Sequence, residues 1–100
     1  MTAHEPDYAW LVYHDHLDGQ PVSVYGPGGI TDGQCKRLAA GEGASFRLLD
    51  GDGILYFSGR LLGDAQSEDG FGPLDDYGTP DSGCTTIQYL TPGTGKWETL

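Results

Sequence analysis

The side chains best suited to chemistry sit close together in His14-Asp15-His16. On an extended backbone His14 and His16 point to the same face about 7 Å apart, a spacing that suits two ligands of one metal ion. Further ligands would have to come through the fold, from Cys35, Cys84, His4 or an acid. The plainer reading of this run is a strand leaving for solvent ahead of its turn. Asp50-Gly51-Asp52-Gly53 resembles the opening of a calcium-binding loop, but Ile54 follows it and Leu61 stands where such a loop needs Glu. Gly26-Pro27-Gly28-Gly29 precedes a helix start, where anions can bind. The chain nevertheless has no lysine before Lys36 and no Gly-Lys-Ser/Thr, so this is a turn ahead of a cap. Cys84 follows Ser82-Gly83 with no histidine placed by sequence to activate it, and a buried structural thiol is the simpler expectation. Asp75 and Asp76 are adjacent and would point apart on an extended chain, which is poor geometry for an acid/base couple. No catalytic residue, metal or cofactor is assigned. The enzymatic alternative is a metal-binding or thiol-dependent protein using His14, His16, Cys35 or Cys84.

The elements that would position these residues are short and broken by turns. Seventeen glycines and six prolines in 100 residues favour strands over long helices. Residues 1–7 are expected to be a loose segment, and 8–100 a single domain. Tyr8 to Leu17 is rich in aromatic and β-branched residues and reads as a central strand. Asp18-Gly19 is hairpin chemistry, and Pro21 to Tyr25 reads as its partner strand. One helix is expected, from about Asp32 to Ala40. Thr31 and Gln34 have the spacing of a capping box, Ile30 and Cys35 that of a hydrophobic staple. Cys35, Leu38 and Ala39 make an apolar stripe, Lys36 and Arg37 suit the C-terminal end, and Gly41 is a natural stop.

Ser45 to Leu49 and Ile54 to Leu62 flank an Asp-Gly-rich turn and form the clearest hairpin. An even-length loop puts Phe46, Leu48, Leu55 and Phe57 on one face and Arg47, Tyr56, Ser58 and Arg60 on the other. Gly59 inside a strand points to a bulge or a close backbone approach. Cys84 to Leu90 and Lys96 to Leu100 read as a last hairpin. A five-residue loop there sets Tyr89 opposite Trp97 and Ile87 opposite Thr99. The sum is an α+β domain: a mainly antiparallel sheet of five or six strands built from hairpins, with one short helix packed on one face.

The net charge is −10, from 15 acidic and 5 basic residues. Such a chain repels phosphate, so direct contact with nucleic acid or anionic membrane is disfavoured. The N-terminal residues show neither a basic nor an apolar run, and nowhere do about 18 apolar residues follow one another. A cytoplasmic setting with both thiols reduced is the expectation. Residues 63–83 have no usable period and carry six acids and no base, and are expected to form a long acidic loop. Asp64, Glu68, Asp69, Asp75, Asp76 and Asp81 would supply charge, and Phe71, Leu74 and Tyr77 apolar contact, for a basic protein partner. An ordered cover over the sheet would have the same composition. The function expected is that of a small non-catalytic protein-binding or accessory module. A nucleic-acid mimic that blocks a DNA-binding protein is a special form of it.

Overall fold

The computed structural model describes residues 8–100, and the segment expected to be loose, 1–7, lies outside the described residues. Six strands pair in one antiparallel sheet, β1 (Ala9–Asp15), β2 (Gln20–Gly26), β3 (Ala44–Leu49), β4 (Leu55–Leu62), β5 (Thr86–Leu90) and β6 (Trp97–Thr99). Their order across the sheet is β2-β1-β4-β3-β5-β6. The four apolar strands thus lie inside and the polar β2 and short β6 form the edges. The radius of gyration is 13.0 Å, that of a single domain of this length. Among the described residues no helix is long and apolar enough to cross a membrane.

Helix α1 spans Asp32–Ala39 and begins as its sequence dictates. The Gln34 backbone N–H donates to Thr31 Oγ1 at 3.1 Å, and the Thr31 N–H donates to Gln34 Oε1 at 2.9 Å. Leu38 is fully buried against Ala9 and Leu11, with Ile30 and Leu62 beside them. Cys35 is half-buried and Ala39 exposed, so Leu38 carries the contact. Arg60 fixes the far end of the helix, its Nε and Nη2 donating to the Leu38 carbonyl at 3.1 and 2.7 Å.

The opposite face of the sheet holds the main core: Trp10, Val12, Phe46, Leu48, Phe57, Leu61, Ile87 and Tyr89. It is covered by the segment expected to be a loop. That segment is helical: a 3-10 turn at Glu68–Phe71, a π turn at Leu74–Gly78 and an α turn at Thr79–Ser82, forming one bent cap. No single repeat runs through it because each turn has its own period, and Gly70, Gly72 and Pro73 interrupt any regular stripe. Gly83, at φ 71°, ends it in a left-handed residue whose N–H donates to the Thr79 carbonyl. The cap is stapled down through Leu74, which is 7% exposed, and through Tyr89, whose hydroxyl donates to the Gly70 carbonyl at 2.8 Å. Helical structure therefore lies on both faces of the sheet, α1 on one and the cap on the other.

Two expectations about register are corrected. Tyr56 is an extra residue in β4: Leu48 pairs with Phe57 but Leu49 with Leu55. This bulge turns Leu55 to the side of Leu49, away from Phe46, and brings Tyr56 against the main core instead of beside Arg47. In the last hairpin Leu90 pairs with Trp97, Tyr89 with Glu98 and Gln88 with Thr99. The shift is one residue from the expected pairing. Since side chains alternate with period two, it moves Trp97 to the face opposite Tyr89.

Candidate interaction surfaces

His14 and His16 do share a face, and a second bulge between Val12 and His14 draws them together. Their rings meet edge-on with centroids 4.5 Å apart. His16 Nε2 lies 2.7 Å from Ser58 Oγ, so this ring is held by a hydroxyl. Desolvation, and then the neighbouring His14, hold His16 below the ordinary histidine range, while Asp15 opposes the shift. Among the described residues no three His, Cys, Asp or Glu side chains converge to hold a metal ion, and His4 lies outside the described residues. Cys84 is fully buried under the cap, whereas Cys35 sits half-exposed on α1 across the sheet. Burial pushes the Cys84 thiol up to about 11, which leaves it protonated and inert as a nucleophile. The sheet thus separates the two thiols.

The residues expected to meet a partner divide between inside and outside. Leu74 is buried, and Tyr77 packs edge-on against Phe57 at 5.1 Å and tilted against Trp10 at 5.6 Å. Both belong to the core. Asp76 also turns toward the body, its Oδ2 accepting from Tyr8 Oη at 2.8 Å and Trp10 Nε1 at 3.0 Å. Asp64 accepts from the Gln66 N–H at 2.9 Å and so closes its own turn. Asp81 accepts from the Ser82 hydroxyl, and Asp69 is half-buried. Glu68, Asp75 and Asp81 remain on the outer surface with Phe71, which is 39% exposed. No ion pair joins these acids to a described residue.

A different surface emerges on the α1 side, where the helix covers only the end of the sheet near Ala9, Leu11 and Leu62. Register places Tyr13, His14, Ser58, Arg60, Ser45, Arg47, Thr86, Gln88, Leu90, Trp97 and Thr99 on this face. In a chain with 15 acids, none of these positions is Asp or Glu; Asp15 and Glu98 both fall on the cap side. The arginines are stacked on aromatic rings, Arg47 over Trp97 at 4.4 Å and Arg60 over Tyr13 at 4.8 Å. Arg47 is oriented further, its Nε donating to Gln88 Oε1 at 2.7 Å while Gln88 Nε2 donates to Thr99 Oγ1 at 3.0 Å. The two terminal nitrogens of Arg47 make no hydrogen bond or ion pair with a described residue. Sequence reasoning missed this surface because it set Trp97 opposite Tyr89, on the same face of the last hairpin. The one available signal was Arg47 and Arg60 on the polar side of the third and fourth strands.

No family model, curated protein or solved structure matches this chain.

Proposed function

We propose that this is a non-catalytic protein-binding module whose open sheet face receives a carboxylate-bearing segment of a partner. The carrying observation is a face without acids among the described residues, with Arg47 stacked on Trp97 and Arg60 stacked on Tyr13. Trp, Tyr and Arg are the residue types enriched in interface centres and hot spots, and Asp, Glu and Lys are depleted there. A guanidinium already oriented by Gln88 and Trp97 offers its fork to a carboxylate with little ordering left to lose. The test is a titration of 15N-labelled protein with an acetylated Glu-rich octapeptide. Saturable shifts of the Trp97 indole N–H and of the Arg47 and Gln88 amides are expected. Raising salt from ~50 to ~200 mM should weaken them, and Arg47→Gln should abolish them. Shifts scattered over the molecule, shifts indifferent to Arg47→Gln, or a preference of the same face for single-stranded DNA would each reject the reading.

A second reading rests on the cap. Glu68, Asp69, Asp75 and Asp81, with Phe71 exposed among them and Asp64 at the entry turn, suit a basic protein surface. If that surface is a DNA-binding site, the cap acts as a nucleic-acid mimic, and DNA competes for the partner. With octalysine as probe, cap amides should shift in the native protein. They should stay still once Glu68, Asp75 and Asp81 are neutralised to Gln and Asn. Equal binding by the neutralised protein would exclude the cap.

A further inference from the structure

The sheet opens where β3 and β5 part. β3 stays paired with β4 back to Ala44, but its pairing with β5 stops at Phe46 and Tyr89. The gap is bounded by the turn that follows β4 and by the β5–β6 hairpin, and holds an open cavity of about 540 Å³. That volume is in the range of small-molecule sites. Tyr89 lines it, buried and anchored to the Gly70 carbonyl. Ala44, Leu90, Pro92 and Leu100 line it, together with two acids, Asp64 in the turn after β4 and Glu98 on β6. One oxygen of Asp64 is fixed by the Gln66 N–H at 2.9 Å, which holds its carboxylate in place. Among the described residues no Lys, Arg or His lines the cavity.

We infer that this cavity binds a small organic cation, a guanidinium on a short apolar stem. The stem would lie against the apolar wall and the charged head between the two carboxylates, matching Arg geometry to carboxylate acceptors. An apolar ligand would gain nothing from the two acids, and an anion would be repelled by them. The cavity shares Ser45, Leu90 and Thr99 with the open sheet face, but its charge has the opposite sign, and none of Tyr13, Arg47, Arg60 or Trp97 lines it. The same chemistry reaches a protein from two sources, a free alkylguanidine or the arginine side chain of a basic polypeptide.

The test follows backbone amides of Asp64, Thr91 and Glu98 by 15N-NMR during titration with n-butylguanidinium. Saturable shifts at these amides are expected. The neutral isostere n-butylurea should bind at least about tenfold more weakly, and so should n-butylguanidinium to the Asp64→Asn/Glu98→Gln protein. N-acetylarginine N-methylamide is the second arm: binding as tight as n-butylguanidinium points to a polypeptide side chain, and exclusion to a free guanidine. The absence of saturable shifts with n-butylguanidinium, equal binding of n-butylurea, or shifts centred elsewhere overturns the inference. The n-butylurea comparison uses the unaltered protein, so it decides the matter even if the double variant fails to fold.

Discussion

Asp76 joins the cap to the first strand through a single carboxylate oxygen that serves both Tyr8 Oη and Trp10 Nε1. Its replacement by Ala strips the acceptor from two donors, one of them on the well-buried Trp10 ring. A loss of about 1–3 kcal/mol in unfolding free energy is expected, read from urea denaturation. An unchanged midpoint would mean that water serves both donors equally well. The same contact governs behaviour in alkali. Burial, and then the Asp76 hydrogen bond and charge, push the Tyr8 hydroxyl up to about 12 from its ordinary 10.0. The folded state therefore keeps a proton that the unfolded chain gives up. The stability tied to that proton is intact below pH 10 and drains away as pH rises toward 12. Cys84, raised by burial from 9.0 to about 11, adds a decline that begins earlier, from pH 9. Urea midpoints should accordingly fall through this window, and Tyr8→Phe should make the upper part of the fall shallower.

At the scale of elements, glycine sets how closely the layers approach. A Cβ on Gly59 would sit 2.2 Å from the Leu11 carbonyl oxygen and 2.4 Å from Phe46 Cζ, in the centre of the sheet. Neither neighbour can give way easily, since one is backbone and the other a fully buried ring. Gly59→Ala should cost about 1–3 kcal/mol as an overpacked core; thermal denaturation unaltered by the change would show that β1 can shift freely. At Gly72 the corresponding Cβ would meet the Tyr8 ring at 2.4 Å, so the cap can close on Tyr8, just ahead of β1, because it lacks a side chain there. The interior glycine of β4 was legible in the chain as a site of close approach. What approaches it was not, since Leu11 and Phe46 belong to strands whose neighbours are chosen by the whole fold.

For the whole molecule, charge is the dominant variable. The net −10 must be confined to a small volume, and the ion pair of Arg37 with Glu42 at 3.3 Å is well exposed and contributes little. Repulsion among the remaining acids is screened over about 8 Å at physiological ionic strength. Raising salt from ~50 to ~200 mM should therefore stabilise the fold against urea even as it weakens both partner contacts. Opposite salt slopes for folding and for binding are the expected pattern. A fold that loses stability with salt would place attraction between charges above their repulsion.

Which stretches are strands, where α1 begins, and that an antiparallel sheet carries a helix were all legible in the order of the residues. Those outcomes rest on local physics: alternation of apolar side chains, the reciprocal bonds of Thr31 and Gln34, and turns that need glycine. Register and cover, by contrast, were set by contacts between distant parts of the chain. A single extra residue at Tyr13 or Tyr56, or one step in the β5–β6 turn, leaves composition and alternation intact yet exchanges one face for the other. That exchange sent Trp97 out to Arg47 and Tyr56 in to the core. The cap could not be read as helical because its turns are stabilised by what lies beneath them, Leu74 in the core and the Tyr89 hydroxyl on Gly70, rather than by any repeat of their own.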